Sequence, residues 1–523
     1  MLNTSLILLI FVSLSFCLLF LKHILQNQQK KPFKDKYQLP PSASPFPVLT
    51  HIFLHRRSIF AIAPILRRFH SLYGVIYSLR LIPFSNPSIF IFDASLAHSA
   101  LIHHGAAFSS RPHSVEPNHF LSAGCCTISA APYGTLWRIL RRNLSAETLH
   151  PSRIRLFSPG RHWALCGLLE ALHSQSGQII TVKENFEKAI FSLLALMCFG
   201  KKLNESEIRE IASLQLFLLC TFTSFNVFAV FPTITKVLFR KRWESIIRAR
   251  RKQADIFLPM IRARQDRKHS PEGKQNGFEY CYADSLLDIQ LPDEGGRGLT
   301  DDEMVSLCHE FLSGGADTTT TALEWTMAEL VKNQSLQSKL LIEIESLTGS
   351  CNEEIIKEED LQRMLYLKAV VMESLRRHPP GHFVLPHSVT EDVIVDGFLI
   401  PKGVQAHFAV ADVNWDGRKW EEPMEFRPER FMAGGYGEEV DITGRREIKM
   451  MTFGAGRRMC PGYGLAILHL EFFVANLVRE FVWKSEAGNE VDLSEKLEFT
   501  TTMENPLRVQ LIPRRKKCDD VVY

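Results

Sequence analysis

Residues 453–462 read Phe-Gly-Ala-Gly-Arg-Arg-Met-Cys-Pro-Gly, and few other stretches leave a chain so little choice. Gly454, Gly456 and Gly462 permit tight turns and a close approach of backbone to whatever lies beside it. A cysteine thiolate can hold haem iron, pushing electron density onto the metal and favouring O–O cleavage. Such a ligand needs a rigid loop whose N–H groups face the sulfur, because those bonds tune its potential. Arg458 adds a planar donor fork suited to a carboxylate such as a haem propionate. The alternative is a surface turn with an inert buried cysteine, and the joint occurrence of glycines, arginines and Cys460 argues against it.

Composition excludes other classes. The 523 residues carry a net charge of +4, which gives no basis for nucleic-acid binding. Eleven cysteines occur, none in C-x-x-C spacing. This suggests neither a disulfide framework nor a zinc site, and points to reduced core thiols.

Leu6 to Leu21 is apolar except for Ser13 and Ser15, and Lys22, Lys30, Lys31, Lys34 and Lys36 follow it. A cleaved secretory signal would carry its charge first and end in small residues. The run is just long enough to cross a bilayer, which takes about 20 residues, with the lysines on the cytoplasmic side. Residues 1–22 are therefore expected to be an uncleaved membrane anchor, and 23–47 a basic, proline-rich linker. Pro40, Pro41, Pro45 and Pro47 should keep its end extended and stiff. Residues 48–523 read as one catalytic domain, mainly α with a small β-sheet region. Strands are expected around Tyr77–Leu81 and Ser88–Phe92. Arg262–Gly298 reads mostly as an exposed loop with a short helix around Ala283–Gln290.

Thr300-Asp301-Asp302-Glu303 fits a capping box opening a long helix. Leu307, Phe311, Gly314, Gly315, Thr318 and Ala322 then share one stripe. Two adjacent glycines there cost about 1 kcal/mol each relative to alanine. Either the site needs the room, or another helix crosses closely.

Phe453, Gly456, Arg458, Cys460 and Gly462 match F-x-x-G-x-R-x-C-x-G, and on these residues the chain resembles the cytochrome P-450 family. Glu373 and Arg376 resemble its E-x-x-R motif, and Phe426–Phe431 the element that brings Arg430 as third member of a structural Glu-Arg-Arg triad. Trp137 and Arg141 resemble its W-x-x-x-R pair, and His387 falls where the family places another propionate donor. Gly314–Thr319 resembles the oxygen-activation motif. The order of the marks makes the set specific; E-x-x-R alone is usually a solvated pair. Residues 133–138, 149–153 and 468–476 resemble plant A-type enzymes of the endoplasmic reticulum, family eighty-nine subfamily A.

The resemblance implies the P-450 fold behind a transmembrane anchor helix, with haem b held by Cys460. Trp137, Arg141, His387, Phe453, Gly456, Arg458 and Gly462 would contact the cofactor. Asp317 and Thr318 would pass protons to bound O2. It implies a monooxygenase that places one oxygen atom in a lipophilic small molecule. Electrons would come from NADPH through the membrane-bound cytochrome P-450 reductase, since no NADPH or flavin motif is visible. Arg138, Arg142 and Arg457 could dock that partner or be solvated charges. Membrane lipid is the other expected contact, at the endoplasmic reticulum, single-pass with the catalytic domain in the cytoplasm. Phe120, Phe311, Gly315 and His382 are candidate pocket residues by analogy, with Phe383, Val384, Phe499 and Thr500. For His382 the favoured reading is a satisfied core histidine, with the orientation of a polar group as the alternative. Two other readings stand beside this one: a haem-thiolate isomerase or dehydratase that uses no O2, and a non-enzymatic haem-binding protein. The first often lacks the acid–threonine pair present here, and the second needs no oxygen groove.

Overall fold

The computed structural model describes residues 38–55, 62–81, 86–223, 226–229, 231–269, 280–349, 355–486 and 490–514. The expected anchor and most of the linker lie outside these residues, and among the described ones no helix is long and apolar enough to cross a membrane.

Helices dominate. The elements that build the site are α1 (Thr135–Asn143), α2 (Lys183–Phe199), α3 (Glu205–Thr223), α4 (Arg240–His269), α5 (Asp301–Lys332), α6 (Leu365–Arg377) and α7 (Tyr463–Glu480). The longest, α5, begins as its sequence dictates. Thr300 Oγ1 accepts from the Glu303 N–H at 3.3 Å, and Glu303 returns the bond to the Thr300 N–H at 2.7 Å. Its buried stripe, including Leu307, Leu312, Leu323 and Trp325, packs chiefly on α2 and α7. That sets α5 in the middle of the main apolar cluster.

The sheet near the start has five strands: β1 (Ser42–Ala43), β2 (Ile76–Leu79), β3 (Ser88–Ile91), β4 (His387–Ser388) and β5 (Gln405–Phe408), in the order β1-β2-β3-β5-β4. β3 pairs antiparallel with β2, Ile76 opposite Ile91, and parallel with β5, Ser88 opposite Gln405. Late strands thus return to the early ones, which brings His387 and the segment before it beside the cysteine loop.

One expectation needs correction. Arg262–His269 is not loop but the last turns of α4. Ile246, Arg250, Gln253, Phe257, Ile261 and Arg264 form a buried stripe at helical spacing, hidden in the sequence by charge. Arg264 is held there by a two-pronged pair with Asp284, at 3.0 and 2.6 Å. The short helix expected around Ala283 spans Tyr282–Leu287, and Gln290–Gly298 closes a small hairpin.

Candidate active site

The cysteine loop is shaped by its glycines. Gly456 has φ +72° and a Cβ there would lie 2.3 Å from the Leu101 carbonyl oxygen, so no other residue fits. The Cys460 N–H donates to Phe453 O at 2.8 Å, closing the loop. Cys460 is half-buried, and α7 starts three residues later at Tyr463. Burial pushes its thiol above the ordinary value, while the Gly462 N–H and the Arg141 charge oppose that and favour the thiolate.

Around the loop lies a cluster of cations. Arg141, from α1, donates to Met459 O at 2.7 Å. Arg458 donates to Ser109 O, Ile128 O and Ala131 O at 2.6, 2.9 and 2.7 Å, with its guanidinium 4.5 Å from the Trp137 ring centre. Burial pulls Arg458 down to about 9, helped by the nearby charges of Arg111 and Arg141. Trp137 Nε1 is buried and has no hydrogen-bond partner among the described residues. His387 Nδ1 lies 2.6 Å from Phe108 O, and burial holds the ring neutral with its pKa down at about 3. The unpaired indole donor beside guanidiniums whose mutual repulsion the Glu310 carboxylate opposes only in part suits a further anion. The donor set fits a haem: a thiolate for iron, and Arg141, Arg458 and Trp137 for its propionates; the neutral His387, its Nδ1–H given to Phe108 O, presents only an acceptor at Nε2.

Beneath the loop, Arg376 grips Glu373 at 2.7 and 2.8 Å, and Arg430 reaches the same carboxylate at 3.3 Å. All three are buried, and every charge is paired, as a buried network requires. Arg376 also donates to Asn414 O at 3.1 Å. Asn414 in turn accepts from the Met451 N–H at 2.8 Å and donates to Thr452 Oγ1 at 2.9 Å. The triad therefore reaches the head of the cysteine loop through Asn414.

On α5 the two glycines face different neighbours. Among the described residues a Cβ on Gly314 would meet nothing within 4 Å, whereas one on Gly315 would lie 2.9 Å from Leu194 Cδ1 of α2. Gly315 lies where α2 crosses closely, the second of the two reasons the sequence allowed for the glycine pair. Thr318 Oγ1 donates back to Gly314 O at 2.8 Å. Asp317 accepts from Thr500 Oγ1 at 2.7 Å, and burial raises its carboxyl while that bond and Lys183 oppose the shift.

The other expected pocket residues have the following neighbours. The buried His382 sits 3.0 Å from Arg67 Nη2 and 3.2 Å from Glu495 Oε2, between two half-buried charges. Phe383 meets Phe90 and Phe92 edge to face at 6.2 and 6.0 Å, on the sheet. Phe311 stacks on Tyr282 at 4.9 Å. Phe120 packs 5.7 Å from Trp243 in the cluster that joins α3 and α4. Val384 borders the cysteine loop, its Cγ1 3.5 Å from where a Gly454 Cβ would stand. Phe499 is half-buried beside Thr500.

Sequence reasoning missed Glu310, one turn ahead of Gly314. It accepts from the Ile128 and Ser129 N–H groups at 2.7 and 2.6 Å, tying α5 to the loop that carries Arg458's acceptors. An acid within an apolar stripe was the available signal. Arg111, which donates to Leu385 O and Pro386 O at 2.9 Å, offered none.

The fold and the cysteine loop define a haem-thiolate protein. The family model described as Cytochrome P450 matches residues 40–511, and the chain belongs to that family. It is 43% identical to Cytochrome P450 89A9 of Arabidopsis thaliana over 98% of this chain and 99% of the relative. Tryptamine 5-hydroxylase of Oryza sativa subsp. japonica is 28% identical over 90% of each chain. Tabersonine 6,7-epoxidase isoform 1 of Catharanthus roseus is 27% identical over 97% of each. A solved zebra fish cytochrome P450 with abiraterone superposes with a TM-score of 0.70 at 22% identity, covering 86% of this chain and 99% of that one, which shows the fold. Membership makes the chain an oxidoreductase of the monooxygenase type with cysteine-ligated haem iron, and sets aside the non-enzymatic reading.

Proposed function

We propose that this chain inserts one oxygen atom of O2 into a lipophilic small molecule, using haem b and electrons passed from NADPH by a cytochrome P-450 reductase. The observation that carries the reading is the buried Trp137 Nε1, unpaired among the described residues, beside the cations Arg141 and Arg458 and next to a thiol that burial raises and Gly462 and Arg141 draw back towards thiolate. Bound haem iron supplies the O2 activation itself. Cys460 would be the iron ligand, held in place by its bond to Phe453 O and by the triad acting through Asn414. Gly314 leaves open space on α5, and Thr318 Oγ1, one turn on, holds a proton that rotation can release from Gly314 O. Asp317 would return that proton to Thr318. The exposed Arg138 and Arg457 flank Tyr133 at 4.9 and 5.3 Å and, with Arg142, form a basic face suited to an acidic electron donor.

The same reading places the protein at the endoplasmic reticulum, with residues 1–22 as anchor and the catalytic body in the cytoplasm. Phe231, Ile234, Val237 and Leu238 stand exposed on or beside one short helix, Pro232–Leu238, with Arg240 and Lys241 next to them. Such an apolar face with a basic border suits a lipid interface.

The test is a reduced-CO difference spectrum of the wild type and Cys460→Ser, followed by NADPH consumption with reductase across lipophilic compounds. The thiolate band should be present in the wild type and absent in the variant. A variant that keeps the band would overturn the ligand assignment.

A further inference from the structure

Thr500 was expected among pocket residues, yet its hydroxyl is spent elsewhere. It is 3% exposed, and its Oγ1 donates to Asp317 Oδ2 at 2.7 Å. The position is fixed from both sides. The neighbouring Thr501 N–H donates to Pro380 O at 2.7 Å, and Thr501 O accepts from Trp325 Nε1 of α5 at 2.8 Å. Thr501 also begins a strand paired with Glu495–Leu497. A β-branched threonine has few side-chain rotamers, so a pinned backbone aims its hydroxyl.

We propose that Thr500 is a positioning residue for oxygen activation: its hydroxyl, presented from the hairpin outside α5, holds the Asp317 carboxylate ionised and fixes the direction in which it faces. The inference rests on the role given to Asp317 above. A half-buried carboxylate keeps its charge only where donors replace lost water. Among the groups facing Asp317, Lys183 of α2 favours the charge and Glu498 of the hairpin disfavours it. Glu187 of α2 and Cys220 of α3 also feel Asp317, which raises both. Thr500 is the only side-chain hydrogen-bond donor recorded to Asp317 among the described residues. Without it the carboxylate would take up a proton at higher pH, and would no longer be ready to accept one from water and pass it on.

The decisive measurement is a pH-difference infrared titration of the full-length resting enzyme, with the proton as probe and no substrate needed. The carboxyl band of Asp317 is assigned by its loss in Asp317→Asn. Thr500→Val keeps the shape and removes the hydroxyl, and it should raise the midpoint by about one pH unit, a tenfold change in the protonation equilibrium. Thr500→Ser, which restores a donor, should return the midpoint most of the way. An unmoved midpoint in Thr500→Val, or a serine variant that behaves like valine, overturns the proposal. If the valine variant fails to fold, serine against wild type still decides, because a full shift in serine contradicts the hydroxyl's role. The proposed function fails separately: if Asp317→Asn leaves the ratio of product to NADPH unchanged while the midpoint responds to Thr500, the bond stands and the proton-delivery role does not.

Discussion

Thr318 satisfies its own hydroxyl by bonding back to Gly314 O at 2.8 Å, so nothing in the fold depends on it. Replacing it with alanine should leave haem content and the reduced-CO spectrum nearly intact. What should fall is the fraction of NADPH that ends in product, with hydrogen peroxide released instead. A positioned general acid typically contributes 10²–10⁴-fold, and protonation by stray water would make the loss smaller (about tenfold is enough to detect). The check is the product-to-NADPH ratio on one accepted substrate, and equal ratios for wild type and Thr318→Ala would reduce Thr318 to a helix residue. At this scale the sequence was legible wherever chemistry and local backbone coincide, as at Cys460, Gly456 and Arg458. It was not legible where a side chain's partner lies far along the chain. His382 meets Arg67 across 315 residues, and Thr500 meets Asp317 across 183. No local pattern marks either pair, so neither contact could be read from the sequence, although a satisfied core histidine is the favoured reading of His382.

At the scale of elements, α5 is the instructive case. Its capping box was readable because N-cap chemistry is local, and so was its weak centre at Gly314-Gly315. The reason for each glycine was not readable, because it depends on α2 crossing at Leu194. The two positions should therefore answer alanine differently. Gly314→Ala meets open space and should gain up to ~1 kcal/mol of helix propensity. It should also cost product formation, since the methyl fills the space beside Thr318. Gly315→Ala gains the same propensity but drives a methyl onto Leu194 at 2.9 Å in a packed core. Overpacking of that kind costs about 1–3 kcal/mol, so its thermal midpoint should lie below that of Gly314→Ala. Calorimetry of the two variants decides it, and the reverse order would mean that Leu194 moves aside freely. The tail of α4 failed in the sequence for a related reason. Arg250 and Arg264 look solvated in a one-dimensional reading, and only Asp302 and Asp284 on other elements make them interior residues.

At the scale of the whole molecule, the family model spans 40–511, while the asymmetry of apolar run and lysines belongs to residues 1–37. Deleting those residues should release the catalytic body from microsomal membranes, leaving at most the weaker hold of the Pro232–Leu238 face. Sedimentation with and without high salt measures this, and lumenal glycosylation of a site engineered into the body would refute the orientation. The interior also sets a limit on acid stability. His469 is 1% exposed, its Nε2 has no hydrogen-bond partner among the described residues, and burial beside the Arg161 charge brings its pKa down to about 3. Arg161 cannot move away, since Glu358 holds it at 2.7 and 2.8 Å. An unfolded histidine titrates near 6.5. Below that pH the unfolded chain binds a proton that the folded chain refuses, so His469 costs nothing at pH 7.5 and progressively more as pH falls towards 3. Buried carboxyls such as Glu471, raised to about 7 by burial, act with the opposite sign, so the wild-type profile alone does not isolate the histidine. The difference between wild type and His469→Phe does, because the phenyl ring keeps the packing and has no titrating nitrogen. Whatever the offset at pH 7.5, the variant's relative stability should grow by about 1.4 kcal/mol for each pH unit between 6 and 4. Thermal midpoints of both proteins at one scan rate across that range provide the measurement. Parallel curves would mean that His469 takes up its proton in the folded state, with Arg161 displaced to allow it.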